Sequence, residues 1–304
     1  MTPTVLLTGG AGLLAVNWAV AIRDRYRVVL GLHEREISLA GVEARRVDLE
    51  SIAEFLGTIE TVRASMIVHT AGLTSVEECE ADPDLARHVN VDLAANVAAA
   101  CAEAHLPLVH ISTDHLFSGS MSFVDETHAM APVNMYGQTK AEAETRVLEV
   151  NPEALVIRSN FYGWGPSYRK SFSDFIIGGI RAGRDLTLFQ DVTYTPILIE
   201  AVAEAVHELS DLGASGVFNV VGDERLSKYE FGLKVATRFG LDLSRIKPGL
   251  LAERPSIVER PRDMSLSNQR ACDYLGRPLG GVDEHLTRLQ QQEDSGLAQR
   301  IQIL

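Results

Sequence analysis

Short apolar runs alternate along this chain with longer stretches whose apolar positions recur every three or four residues. The runs read as buried strands and the stretches as helices laid against them. Val5–Thr8 is the first run; a helix over Leu13–Arg25 and a strand over Arg27–Leu32 follow. A third short strand leads into "VDLE", then a helix over Ser51–Arg63 and a strand at Met66–His69. Pro83–His105 reads as one long alanine-rich helix. Leu106–Ser112 is a strand, Asn134–Glu149 a helix and Ala154–Ser159 a strand. This rhythm predicts an α/β protein with a doubly wound parallel sheet. Beyond Ser159 it loosens, and Gly, Pro and Arg gather in loops. Ile197–Leu209 and Gly216–Gly222 then read as a helix and strand that return to the main sheet.

Charge and cysteine usage narrow the function classes. The chain has 304 residues and a formal net charge of −13, which argues against a broad basic surface for nucleic acid. Cys79, Cys101 and Cys272 are widely spaced and make no C-x-x-C pair, so neither a disulfide framework nor a zinc site is expected. His69, His110 and His115 lack a ligand spacing, and no metal is expected. No signal peptide precedes the first apolar run and no stretch suits a bilayer span, so the expected location is the cytoplasm.

The junction of the first strand and helix carries "LLTGGAGLLAVN", Leu6–Asn17. A dinucleotide pyrophosphate needs a tight turn, bare backbone and a helix N-terminus aimed at its charge. Gly9, Gly10 and Gly12 supply turn and close approach, and Ala15 packs where only a small residue fits. The acid that would bind a free ribose 2′-hydroxyl is missing at the end of the second strand. His33 and Arg35 stand there instead, which favours NADP(H) over NAD(H), with NAD(H) left open. Asp48 reads either as an adenine contact or as a helix cap. The expected division is a dinucleotide-binding domain over 1–158, rejoined near 190–222, and a smaller, mainly substrate-binding region over 159–304.

"YGQTK" puts Tyr136 and Lys140 on one face of a helix, about a turn apart. A nearby ammonium lowers a phenol's pKa and makes it a usable proton donor. Ser112 and Thr113 end the preceding strand, where open α/β sheets bind ligands. Thr113 can hydrogen-bond the oxygen that Tyr136 protonates.

With Thr8-Gly9-Gly10-x-Gly12, "HTAG" (His69–Gly72), Asn90, Thr113 and Tyr136-x-x-x-Lys140, the chain resembles the extended short-chain dehydrogenase/reductase superfamily. Within it, "STDHLFSG" (Ser112–Gly119), "VIRSNFYGWG" (Val156–Gly165) and "RPRDMSLSN" (Arg260–Asn268) are similar to motifs of the dTDP-4-dehydrorhamnose reductase family. The resemblance covers nearly the whole chain. It implies hydride transfer between a nicotinamide and the 4-keto carbon of a nucleotide-linked deoxysugar. Tyr136 would protonate the alkoxide, Lys140 hold the ribose and keep Tyr136 acidic, and Thr113 orient the carbonyl. It implies cofactor contacts from Gly9, Gly12, Leu13, Leu14, His33, Arg35, Asp48, Leu49, Ala71, Gly72, Asn90, Ser112, Tyr136 and Lys140. It implies substrate contacts from Thr74, Asp114 and Asn160, and from Arg260 and Arg262 as diphosphate partners. The alternative for the two arginines is a solvated loop stiffened by Pro255 and Pro261.

His115 replaces the family's usual tyrosine, Ser118 an aspartate and Ser267 a late aspartate. These departures are expected to fall where substrate lies. A dehydratase would carry a second acid after Thr113-Asp114, where His115 stands. A sugar-nucleotide epimerase and a non-catalytic cofactor-binding regulatory subunit both stay open, as does a homodimer.

Overall fold

The computed structural model describes residues 2–253 and 258–304, so Pro255 lies outside the described residues. Its frame is a seven-stranded, wholly parallel sheet. The strands are β1 (Thr4–Thr8), β2 (Arg27–Leu32), β3 (Glu43–Arg46), β4 (Met66–His69), β5 (Leu108–Ile111), β6 (Leu155–Arg158) and, much later, β11 (Gly216–Asn219). Their order is β11-β6-β5-β4-β1-β2-β3. The order reverses between β1 and β4, and the carboxyl ends of those strands open a crevice there. The return of the chain to the sheet is as the sequence predicts: β11 pairs with β6.

Alternation along the buried strands feeds two apolar layers. Val5 and Leu7 point to one layer, with Trp18 of α1 (Leu13–Ile22) and Val202 of α8 (Ile199–Asp211). Leu6 and Ile67 point to the other, with Phe55 of α2 (Ile52–Val62), Ala98 of α5 (Leu93–Glu103) and Val147 of α6 (Met135–Val150).

The long helix expected over Pro83–His105 is three pieces. After α3 (Val76–Ala81) come α4 (Pro83–Arg87), one π-helical turn over His88–Asp92, and then α5. The alanine-rich composition suits all three, so apolar spacing alone hides the extra residue of the π turn.

Residues after β6 build a smaller region beside the crevice. It contains β7 (Phe161–Tyr162), α7 (Phe172–Arg181), β8 (Leu186–Phe189), β9 (Thr193–Tyr194), β10 (Ile197–Leu198), β12 (Leu226–Ser227), α9 (Lys228–Arg238) and β13 (Ile246–Gly249). The stretch predicted as helix from Ile197 therefore begins with the two residues of β10, which pair with β7. The Asn17 amide on α1 donates to the Trp164 carbonyl at 2.7 Å, and the Trp164 indole donates to the Leu289 carbonyl at 3.1 Å. The first bond ties this region to the helix that follows the glycine turn, and the second ties it to the late helix that carries Leu289.

Candidate active site

A cleft of about 720 Å³ follows the carboxyl ends of β1, β4 and β5. Its floor is the glycine turn. Gly9 has φ +66°, and a Cβ there would lie 2.7 Å from the Ala71 backbone. A Cβ on Gly10 would lie 2.8 Å from Leu30 Cβ. These two glycines let the turn press against β4 and β2. Gly12 has extended backbone, and a Cβ there would meet only the Gly9 carbonyl, at 3.0 Å. Its lack of a side chain serves the cleft rather than the fold. The first bond of α1 runs from the Val16 amide to the Gly12 carbonyl, so the Leu13 and Leu14 amides sit at the open, positive end of the helix. A bare turn at an open helix N-terminus has the geometry that suits a pyrophosphate.

The different burdens on these glycines give a test. Gly12→Val should keep the melting temperature near wild type and weaken NADPH binding by tenfold or more in calorimetry. Gly9→Val should instead destabilise the fold, because it adds both a backbone clash and a disfavoured φ. Unchanged NADPH affinity in Gly12→Val would remove the turn from the cofactor site.

The other end of the cleft is set by α6. Asn134 caps this helix by accepting from the Gly137 amide at 2.9 Å. A Cβ on Gly137 would lie 2.4 Å from the His115 carbonyl, so only glycine lets the first turn of α6 close on the loop after β5. That contact brings Tyr136 and Lys140 into the same cleft as Ser112 and Thr113. Lys140 is buried and donates to the Ile111 carbonyl at 2.7 Å. Burial draws its pKa down to about 8, against the pull of Glu144. Burial pushes the Tyr136 phenol up to about 12, with Thr113 and Arg169 drawing it down and Asp114 and Cys79 raising it. The cations and donors that oppose burial are Thr113 and Arg169.

Asn90 sits in the π turn and holds the loop after β4. Its Oδ1 accepts from the Leu73 amide at 2.8 Å, and its Nδ2 donates to the Leu73 carbonyl at 3.1 Å and to Thr139 Oγ1 at 3.0 Å. The same residue therefore holds the loop of Ala71 to Leu73 on one side and α6 on the other. Beneath the site His69 and His110 stack, 5.4 Å apart, and His69 bonds Thr8 at 2.7 Å. Burial and the Lys140 charge hold both imidazoles neutral, with His69 down to about 3.

Most of the expected contact residues line this one cleft: Gly9, Gly12, Leu13, Leu14, His33, Arg35, Ala71, Gly72, Thr74, Asn90, Asp114 and Asn160. Asp48 and Leu49 do not. Asp48 accepts from the Glu50 amide at 2.8 Å while Ser51 caps α2, and Leu49 packs on the core. Arg262 lines neither this cleft nor its continuation. Its carbonyl accepts from the Thr193 amide at 2.7 Å and its side chain is exposed. Of the three departures from the family pattern, only His115 faces the cleft. Ser118 pairs with Ser120 on an exposed loop, and Ser267 is stitched by its backbone to Val124 and to Asn219.

At His115 and Asn160 the cleft opens into an apolar chamber of about 380 Å³ walled by Phe172, Phe175 and Phe189. Arg260 reaches it while paired with Glu77. Lys228, which the sequence reading missed, is its second cation. Its ammonium lies 3.3 Å above the Tyr194 ring, and burial lowers its pKa to about 8 against the pull of Asp114. Asp114 is fixed by the Asn160 amide at 2.5 Å. The one sequence signal for Lys228 was a capping box, Ser227 with Glu230, which marks the start of α9.

A parallel sheet with a glycine cradle at its switch point, and a Thr–Tyr–Lys set beside it, defines an NAD(P)-dependent oxidoreductase of the extended short-chain dehydrogenase/reductase type. Among the described residues no cluster of three or more metal-ligating groups forms, and no helix is long and apolar enough to cross a membrane. The chain belongs to the dTDP-4-dehydrorhamnose reductase-like family, whose RmlD substrate binding domain matches residues 3–294. A probable low-salt glycan biosynthesis reductase, Agl14, of Haloferax volcanii is 29% identical over 93% of this chain and 96% of its own. Methionine adenosyltransferase 2 subunit beta of Pongo abelii is 28% identical over 86% of this chain and 79% of its own. The fold matches a dTDP-4-dehydrorhamnose reductase from Bacillus anthracis str. Ames, solved in complex with NADP, at a TM-score of 0.84 and 23% identity, over 96% of this chain and all of that one.

Proposed function

We propose that this protein is an NADP(H)-preferring reductase of a nucleotide-linked 4-keto-6-deoxysugar. The observation that carries this reading is the shared cleft. Thr113, Tyr136 and Lys140 meet the glycine cradle in one space, and that space continues past His115 and Asn160 into an aromatic chamber with two cations. NADPH supplies the hydride when bound. Tyr136 holds the proton for the new alkoxide, Thr113 orients the carbonyl, and Lys140 meets the ribose hydroxyls. Thr74, Asp114 and Asn160 face the sugar, and Lys228 and Arg260 face its diphosphate. The substrate-binding role of the region after Ser159 is part of this proposal. The test is NAD(P)H oxidation by purified protein against a panel of nucleotide 4-keto-sugars. Turnover with net cofactor consumption supports the reductase. Interconversion of sugar epimers without net consumption would favour an epimerase.

The similarity to a methionine adenosyltransferase subunit supports a second reading, a regulatory subunit that binds cofactor. NADPH binding with no turnover on the panel, and co-purification with another enzyme, would favour it. The intact catalytic set supports the enzyme.

Arg35 stands exposed in the cleft lining at the end of β2, beside His33 and Glu34. Wild-type kcat/KM should therefore favour NADPH over NADH, and Arg35→Ala should erase most of that preference. Equal wild-type values for the two cofactors would show that no 2′-phosphate reaches Arg35.

A further inference from the structure

One segment of the smaller region crosses back over the cofactor cleft. Residues 166–170 follow Gly165, whose amide is held by the Asp174 carboxylate at 2.7 Å. They turn through a bond from the Arg169 amide to the Pro166 carbonyl at 3.0 Å. The two residues at the apex make contacts in opposite directions. The Tyr168 hydroxyl donates to the Ala11 carbonyl in the glycine turn at 2.8 Å, and its ring lies 3.9 Å beneath the Arg35 guanidinium. Arg169 bonds the Thr74 hydroxyl in the loop after β4 and lines the same cleft as Tyr136. Its charge draws the Tyr136 phenol down.

Arg35 makes no ion pair among the described residues, so the Tyr168 face is what orients its fork of donors. A guanidinium stacked in this way loses less freedom when it closes on a phosphate. Tyr168 and Arg169 are consecutive, so the bond of Tyr168 to Ala11 and the bond of Arg169 to Thr74 pin one short turn across the cleft, with Arg35 stacked on it.

We propose that residues 166–170 form a strap in which Tyr168 backs Arg35 for the cofactor's 2′-phosphate and thereby seats Arg169 at Tyr136. Preference for NADPH and proton donation then become one linked property. This rests on the NADP(H)-reductase reading and adds two residues to it: Tyr168 as a positioning residue for the cofactor, and Arg169 as one for the proton donor.

The test begins with calorimetric Kd values for NADPH and NADH on wild type, Tyr168→Ala, Arg35→Ala and the double variant. Tyr168→Ala should weaken NADPH by about three- to tenfold and leave NADH within about twofold. It should add nothing in the Arg35→Ala background. Equal losses for both cofactors, or additive losses in the double variant, would overturn the strap. Arg169→Met should then lower kcat and enlarge the solvent deuterium isotope effect on it, with NADPH Kd unchanged, and Arg169→Lys should restore part of both. An unaltered kcat and isotope effect would remove Arg169 from the proton step. If wild type binds neither cofactor, the reductase reading itself fails. If wild type prefers NADPH and Tyr168→Ala keeps that preference, only the strap fails.

Discussion

Tyr136→Phe is expected to lower kcat on a nucleotide 4-keto-sugar by about 10²–10⁴-fold while NADPH binding stays near wild type. The ring keeps its edge-on contact with His115, 5.4 Å between centroids, so packing survives and only the proton is lost. Lys140→Met should damage both kcat and cofactor binding, because in the proposed reading the buried ammonium meets the ribose hydroxyls. Its pKa near 8 adds a pH signature. As pH rises through about 8 the free enzyme discharges Lys140, so KM for NADPH should climb there, and Lys140→Met should flatten that rise. The phenol, pushed up to about 12, stays protonated throughout this window. Full kcat in Tyr136→Phe on a confirmed substrate would place the acid elsewhere.

The second large effect concerns stability. Arg158 on β6 and Glu144 on α6 form a bidentate ion pair with the closest approach at 2.7 Å, and both side chains are almost fully buried. Removing one partner of such a pair leaves a buried charge and costs about 3–5 kcal/mol. Arg158→Met should therefore lower the melting temperature by on the order of 10 °C. The double variant Arg158→Met with Glu144→Leu should recover much of that loss, since neither charge is then stranded. A melting temperature unchanged in Arg158→Met would show that the pair is not what fixes α6 to the sheet.

Much of this was legible because local sequence and global geometry agree. Val5–Thr8, the three glycines and Leu13 onward specify a strand, a bare turn and a helix within a single short stretch. Tyr136 and Lys140 need only a helix to share a face. The residues that were missed, Tyr168, Arg169 and Lys228, reach the cleft from loops and a helix start whose place is set by distant packing. Nothing in "GPSYRK" signals that Tyr168 will lie on Ala11 and Arg35. Asp48 is hard to read for the complementary reason: an acid before a helix suits a cap, a turn or a ligand equally, and here it holds a local turn through the Glu50 amide. Arg260 and Arg262 are alike in sequence, but Arg260 reaches the chamber while Arg262 is engaged through its backbone carbonyl, by the Thr193 amide, and leaves its side chain exposed.

The π turn at His88–Asp92 makes the length of the chain part of the site. The π turn holds one residue more than an α turn, so removing one residue from it would let the segment relax to regular helix and rotate Asn90 relative to α5. Its amide could no longer reach both Leu73 and Thr139, although every contacting side chain would still be present in the sequence. Substitution scanning would not detect this dependence, because no single side chain encodes it. A single-codon deletion would, and an insertion elsewhere in the same helix would not repair it.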